Sequence, residues 1–153
     1  MIWLKVFRHS WNETKLLAQS VLLLLVIHIG LLLIGYSALR GIMEKLLPTK
    51  PENKELSDTE IIHRGREIAS IVSIAAKHGL FEAGCLRRSL LVWWFLRRDG
   101  IQSDLRFGVR KINHIIEAHA WLDYRGVVLN DLPNIHEHYH PLQDIYPSSK
   151  LGL

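Results

Sequence analysis

The spacing of apolar positions changes along this chain, and each change marks an element. From Leu16 to Leu39 no residue carries a formal charge, and leucine, isoleucine and valine fill most positions. A helix rises about 1.5 Å per residue and a bilayer needs about 20 apolar residues, so this run is long enough to cross one. Gln19, Ser20, His28 and Ser37 interrupt it, whereas Gly30 and Gly35 are compatible with a membrane helix. Two readings stand: a membrane-associated helix, or a long apolar helix packed on the domain or on a partner. Basic residues flank both ends (Lys5, Arg8 and Lys15 before; Arg40 and Lys45 after), so no orientation follows. The run is longer than the apolar part of a signal peptide, and no small-residue cleavage site clearly follows it. Ahead of it, Trp3, Phe7 and Trp11 recur at roughly helical spacing.

Pro48 and Pro51 among polar neighbours mark a linker over 48–56. The chain thus divides into an apolar helical segment (1–47), the linker, and a domain over 57–153. Ser57-Asp58-Thr59-Glu60 is a capping-box pattern that opens a helix. Ile61, Gly65, Ile68, Val72 and Ala75 then share one face, and Gly79 is placed to end the helix after Lys77 and His78. A short connection leads to Gly84-Cys85. The stretch Leu86 to Leu96 is apolar on most sides apart from Arg87, Arg88 and Ser89, which predicts a buried helix. Arg97 and Arg98 suit its C-terminal dipole, and Gly100 its stop.

Beyond Gly100 the period becomes two. Leu105, Phe107 and Val109 alternate with Arg106, Gly108 and Arg110, as in a strand. In the next strand Ile116, Ala118, Ala120 and Leu122 share one face, and Glu117, His119, Trp121 and Asp123 the other. Tyr124-Arg125-Gly126 reads as a three-residue hairpin loop with glycine last. A third strand follows over Val127–Asp131. That loop would set Asp123 opposite Val127, Trp121 opposite Leu129 and His119 opposite Asp131, the last pair about 5 Å apart at Cβ. A loop one residue shorter or longer would put His119 and Asp131 on opposite faces. The tail from Leu132, with Pro133, Pro141 and Pro147, reads as loop with one short pairing segment.

The 153 residues suit one domain with a proper core. The single cysteine, Cys85, excludes an internal disulfide, fits a reducing compartment such as a bacterial cytoplasm, and leaves its thiol free. A net charge of +4 and a pI near 9.4 are mildly basic. The basic residues fall in short pairs without an aromatic stacking block, so no nucleic-acid partner is expected. A thiol at a helix N-terminus is favoured as thiolate by the helix dipole. A carboxylate beside an imidazole fixes its tautomer, and a histidine so held can activate a cysteine.

The order Cys on a helix head, His on a strand, Asp on the next is that of papain-like and transglutaminase-like thiol enzymes. The blocks Cys85–Trp94, Leu105–Lys111, Ala118–Leu122 and Asp131 give a closer likeness. Over roughly Glu55 to Ile145 the chain resembles the transglutaminase-like leader peptidase of lasso-peptide biosynthesis. That domain also forms the C-terminal part of the microcin-processing protein. The resemblance implies an α+β fold, a buried Cys-bearing helix packed on a small antiparallel sheet, here preceded by the long apolar helix. It implies a cysteine protease that removes the leader from a ribosomally made precursor peptide before an ATP-dependent partner cyclase closes the macrolactam. Cys85 would be the nucleophile, His119 the general base and then acid, and Asp131 the orienting carboxylate, with no cofactor. The Cys85 backbone N–H is a candidate oxyanion donor. Residues 1–54 are too short and too apolar for the family's fused leader-recognition domain. The expectation is therefore the stand-alone second half of a split system, served by a separate small recognition protein. It would act in the bacterial cytoplasm, with residues 16–39 as a candidate inner-membrane contact.

Rival readings remain. His136, His138 and His140 would point to one side of an extended segment and could bind zinc, although no further cysteine is present. The fold could instead serve as a non-catalytic, membrane-associated peptide-binding scaffold, or transfer the acyl group to an amine instead of water.

Overall fold

The computed structural model describes residues 11–48, 56–79, 81 and 83–142. The expected helical spacing at Trp3 and Phe7, most of the linker, and the tail beyond Leu142 lie outside the described residues. The chain forms α1 (Trp11–Leu33), α2 (Gly35–Lys45), α3 (Asp58–His78), α4 (Cys85–Arg98), β1 (Asp104–Ile112), β2 (Ile115–Tyr124), β3 (Val127–Val128), α5 (Ile135–His138) and β4 (His140–Pro141). The strands make one sheet, antiparallel at every pairing, in the order β3-β2-β1-β4.

The apolar run is not one helix. It breaks at Ile34, Gly35 takes a φ of +77°, and α2 turns back along α1. α1 buries Leu16, Ser20, Leu24 and Ile27, at steps of four, four and three, against the helices of the core. Ser20 has no access to solvent, and its hydroxyl donates to the Leu16 carbonyl at 2.7 Å, so burying it leaves no polar group unpaired. Leu22, Val26, Leu32 and Leu33 on the remaining surface of α1 are exposed. By length and composition Asn12–Leu33 could also cross a membrane, with a mean hydropathy of 2.5.

α3 opens with the full capping box. Ser57 Oγ accepts from the Glu60 N–H, and the Glu60 carboxylate accepts from the Ser57 N–H at 2.8 Å. The face of α3 containing Gly65, Ile68, Val72 and Ala75 is buried as the spacing predicts. α4 is the central helix: Leu90, Leu91, Phe95 and Leu96 have no solvent access. It ends as a Schellman motif, with the Gly100 N–H on Arg97 O at 3.0 Å and the Ile101 N–H on Leu96 O at 2.8 Å. The φ of +80° at Gly100 is the left-handed turn this motif requires.

The sheet is covered on both faces. Leu105 and Leu122 face the helices and join their core. Trp121, Val128, Ile135 and Tyr139 form a smaller cluster on the other face, beneath α5 and β4. The tail thus supplies a short pairing segment, as expected, but also a turn of helix.

Candidate active site

Gly84 caps α4 with extended backbone, and Cys85 is its first residue, so the thiol sits at the positive end of the buried helix. Cys85 is partly exposed and is a free thiol. His119 lies on β2 opposite Gly108 of β1. Its Nε2 and Asp131 Oδ2 are 2.7 Å apart, with both side chains about four-fifths buried (18% and 20% exposed). The other oxygen of Asp131 accepts the Leu132 N–H at 2.8 Å, so both carboxylate oxygens are held. Asp131 also lines a small cavity together with Cys85, Ser73, Arg88, Ser89 and Asn130. The carboxylate therefore touches the imidazole and lines the same small cavity as Cys85.

The route that brings His119 to Asp131 differs from the expected register. The loop has two residues, Arg125 and Gly126, and Tyr124 pairs with Val127 and Asp123 with Val128. Arg125 takes a φ of +49° and Gly126 of +83°, a turn whose twist suits a hairpin. Asp58 at the head of α3 anchors it, accepting from Tyr124 Oη at 2.8 Å and from Arg125 Nη1 at 2.9 Å. A regular ladder in this register would set Asp131 opposite Ala120, on the wrong face for His119. The ladder does not continue. β3 ends at Val128, and although the Leu129 N–H still reaches Leu122 O, the Leu122 N–H goes to the side chain of Asn130 at 2.7 Å. Regular pairing ends there, and Asp131 meets His119 through its side chain from outside the ladder register.

Residues that the sequence reading passed over hold this arrangement. Asn130 Nδ2 donates to Ser89 Oγ at 2.7 Å, and the Ser89 hydroxyl donates to Ala120 O at 3.0 Å. Ser89 is fully buried on α4. This relay ties the cysteine helix, the histidine strand and the residue before Asp131 together, and every member is paired. Gly65 lets α3 lie close on the same segment: a Cβ there would meet Leu129 Cδ1 at 2.9 Å. Tyr139 stacks on the imidazole, with ring centroids 4.9 Å apart and planes 23° apart. Burial pushes the Tyr139 hydroxyl above its usual range, the Arg110 guanidinium opposes this, and Glu117 adds to it through its charge and a hydrogen bond. Gly108, directly across from His119, makes room for this stack. A Cβ there would meet Tyr139 Cβ at 2.8 Å and the Trp121 ring at 2.9 Å. A buried serine, an asparagine beside an aspartate and a glycine in a strand are legible only after the register is known.

The histidines of the tail do not form the expected extended row. His136 and His138 lie in the single turn of α5, and His140 in β4. His136 packs edge-on against Trp121 at 5.7 Å. Among the described residues no group of three or more His, Cys, Asp or Glu could hold a metal ion.

The chain is similar to the microcin J25-processing protein McjB of Escherichia coli, at 26% identity over 95% of its own residues. It spans 57% of the length of that protein. No solved structure matches it. Residues 21–144 match the model of the transglutaminase-like superfamily, a match that starts inside α1 and takes in the cysteine helix, the sheet and Asp131. The chain therefore belongs to the transglutaminase-like superfamily.

Proposed function

We propose that this protein is a cysteine peptidase that cleaves the leader from a lasso-peptide precursor, with Cys85, His119 and Asp131 as its triad. The observation that carries this is the 2.7 Å contact of His119 with Asp131, beside a cavity that Asp131 shares with Cys85 at the head of α4. The similarity to a microcin-processing protein supports the substrate class.

The chemistry follows from which atoms are committed. Asp131 occupies Nε2 of His119, which leaves Nδ1 to exchange protons with the thiol and the substrate. The Cys85 sulfur attacks the carbonyl at the leader–core junction, and its proton passes to Nδ1. The tetrahedral oxyanion is met by the helix-terminal N–H of Cys85. As the intermediate collapses, the C–N bond breaks and Nδ1 returns the proton to the departing core amine. A water, deprotonated by the same nitrogen, then hydrolyses the thioester and releases the leader acid. Asp131 stabilises the imidazolium formed in each half. Excluding water in favour of an amine would convert the same steps to transamidation.

The substrate would arrive on a small leader-recognition protein, and an ATP-dependent cyclase would take the freed core. We place the reaction in the bacterial cytoplasm, with the exposed apolar side chains of α1 at the inner membrane surface. The test is to incubate the protein with a lasso-peptide precursor, with and without a leader-recognition protein, and weigh the products. Leader release that disappears in Cys85→Ala is the expected result. An intact precursor with folded protein and all partners present would favour a peptide-binding scaffold.

A further inference from the structure

The β1–β2 hairpin projects beyond the domain. From Lys111 to Ala118 every residue is exposed, including Ile112, Ile115 and Ile116. β4 covers the β1 edge only at Gly108 and Val109, and β3 covers the β2 edge only at Asp123 and Tyr124, with Leu129 reaching Leu122. The β2 edge from Ile115 to Ala120 therefore has no neighbouring strand among the described residues.

Parity shows which groups that edge presents. The Leu122 carbonyl accepts from Leu129, so Leu122 turns its backbone polar groups away from β1. In an antiparallel ladder alternate residues do the same, which assigns Ala120, Ala118 and Ile116 to that edge. The other end gives the same answer: the Asn113-His114 turn has φ of 48° and 68°, its flanking pair Ile112–Ile115 is the hydrogen-bonded one, and counting from it again turns Ile116 and Ala118 outward. The Ala120 carbonyl is already taken by Ser89. Ile116 and Ala118 remain, each offering one N–H and one C=O. Ala120, the next residue of this series, lines the cavity of Cys85 and Asp131.

We propose that the β2 edge at Ile116 and Ala118 docks the peptide substrate, which adds to the sheet as an extended strand and is thereby led to Cys85. This rests on the peptidase reading above. The edge selects an extended backbone, because its donors and acceptors repeat every second residue, about 6.8 Å, as a β-strand's do. Main-chain pairing gives affinity with little demand on sequence, and the exposed isoleucines on both faces add apolar contact for alternate side chains. Continuity with the cavity fixes the occupant as the stretch that flanks the scissile bond.

Two measurements test this on the full chain with its recognition partner. Ala118→Pro removes one outward N–H and no bond to β1, a change tolerated at an edge. It should raise KM for the precursor about tenfold, whereas Ala118→Ser, which keeps the N–H, should not produce that rise. Independently, wild-type protein is given precursor peptides N-methylated at one residue at a time around the scissile bond. Edge docking predicts that KM rises at every second position. A flat or aperiodic scan, with KM unmoved in Ala118→Pro, overturns the proposal while leaving the peptidase standing. A dimer that Ala118→Pro dissociates without moving KM assigns the edge to a second copy and overturns it too. No cleavage by wild-type protein under any condition removes the peptidase reading, and this inference with it.

Discussion

His119 is held on two sides: Asp131 takes Nε2 and the Tyr139 ring covers one face, with Gly108 across the ladder keeping the space for that ring. On the proposed mechanism, Asp131→Asn takes away the charge that would stabilise the imidazolium and should lower kcat by about 10²- to 10⁴-fold in a precursor-cleavage assay, with the circular dichroism spectrum unchanged. Gly108→Ala places a methyl group within 3 Å of both the Trp121 ring and Tyr139 Cβ. Neither is a flexible chain end, so the stack must shift. The expected outcome is a drop in kcat together with about 1–3 kcal/mol of destabilisation in a denaturant melt, the usual cost of overpacking. The Tyr139 hydroxyl, raised by burial, stays protonated through neutral pH. At this scale Cys85, His119 and Asp131 were legible as candidates because residue type and order carry their chemistry. Ser89, Asn130 and Tyr139 were not, since their roles depend on which backbone groups the sheet leaves unpaired.

Elements were legible where local signals agree. Ser57 to Glu60 predicted the start of α3, and Gly100 the end of α4, because caps are written in adjacent residues. Ser57→Ala should cost about 1 kcal/mol in thermal or chemical unfolding. The capping bonds from Ser57 lower the Glu60 pKa. A depressed carboxylate stabilises the fold above its unfolded pKa and loses that contribution as pH falls through the folded value. Ser57→Ala should therefore flatten the stability profile at the acid end of the carboxylate range. The β2–β3 hairpin departs from the expected three-residue loop for a physical reason. Glycine last in a three-residue loop is a common solution, but Arg125 accepts a positive φ here while Asp58, far away in sequence, holds its guanidinium. The resulting shift would have separated His119 from Asp131 had β3 continued; the Asn130 side chain replaces a ladder carbonyl and ends it. A long-range ion pair and a side chain standing in for backbone leave no periodic trace.

For the molecule as a whole, α1 serves the core. Leu16, Leu24 and Ile27 pack in the same cluster as Val72 of α3 and Leu91 of α4. Withdrawing α1 into a bilayer would open that cluster to water. Leu24→Ala, at a position 2% exposed, should cost about 2–5 kcal/mol of stability in detergent-free buffer. A helix serving only as an anchor would show no such loss. Hydropathy could not distinguish these cases, because a buried core helix and a membrane helix are equally apolar. The central claim is that Cys85 carries the acyl group of the leader. Its most direct test is to quench the protein in acid during turnover of the precursor, digest it, and weigh the peptide that contains Cys85. The account predicts a thioester adduct of the leader on Cys85, formed at a competent rate and absent in Cys85→Ala. Leader release at an undiminished rate by Cys85→Ala would contradict it.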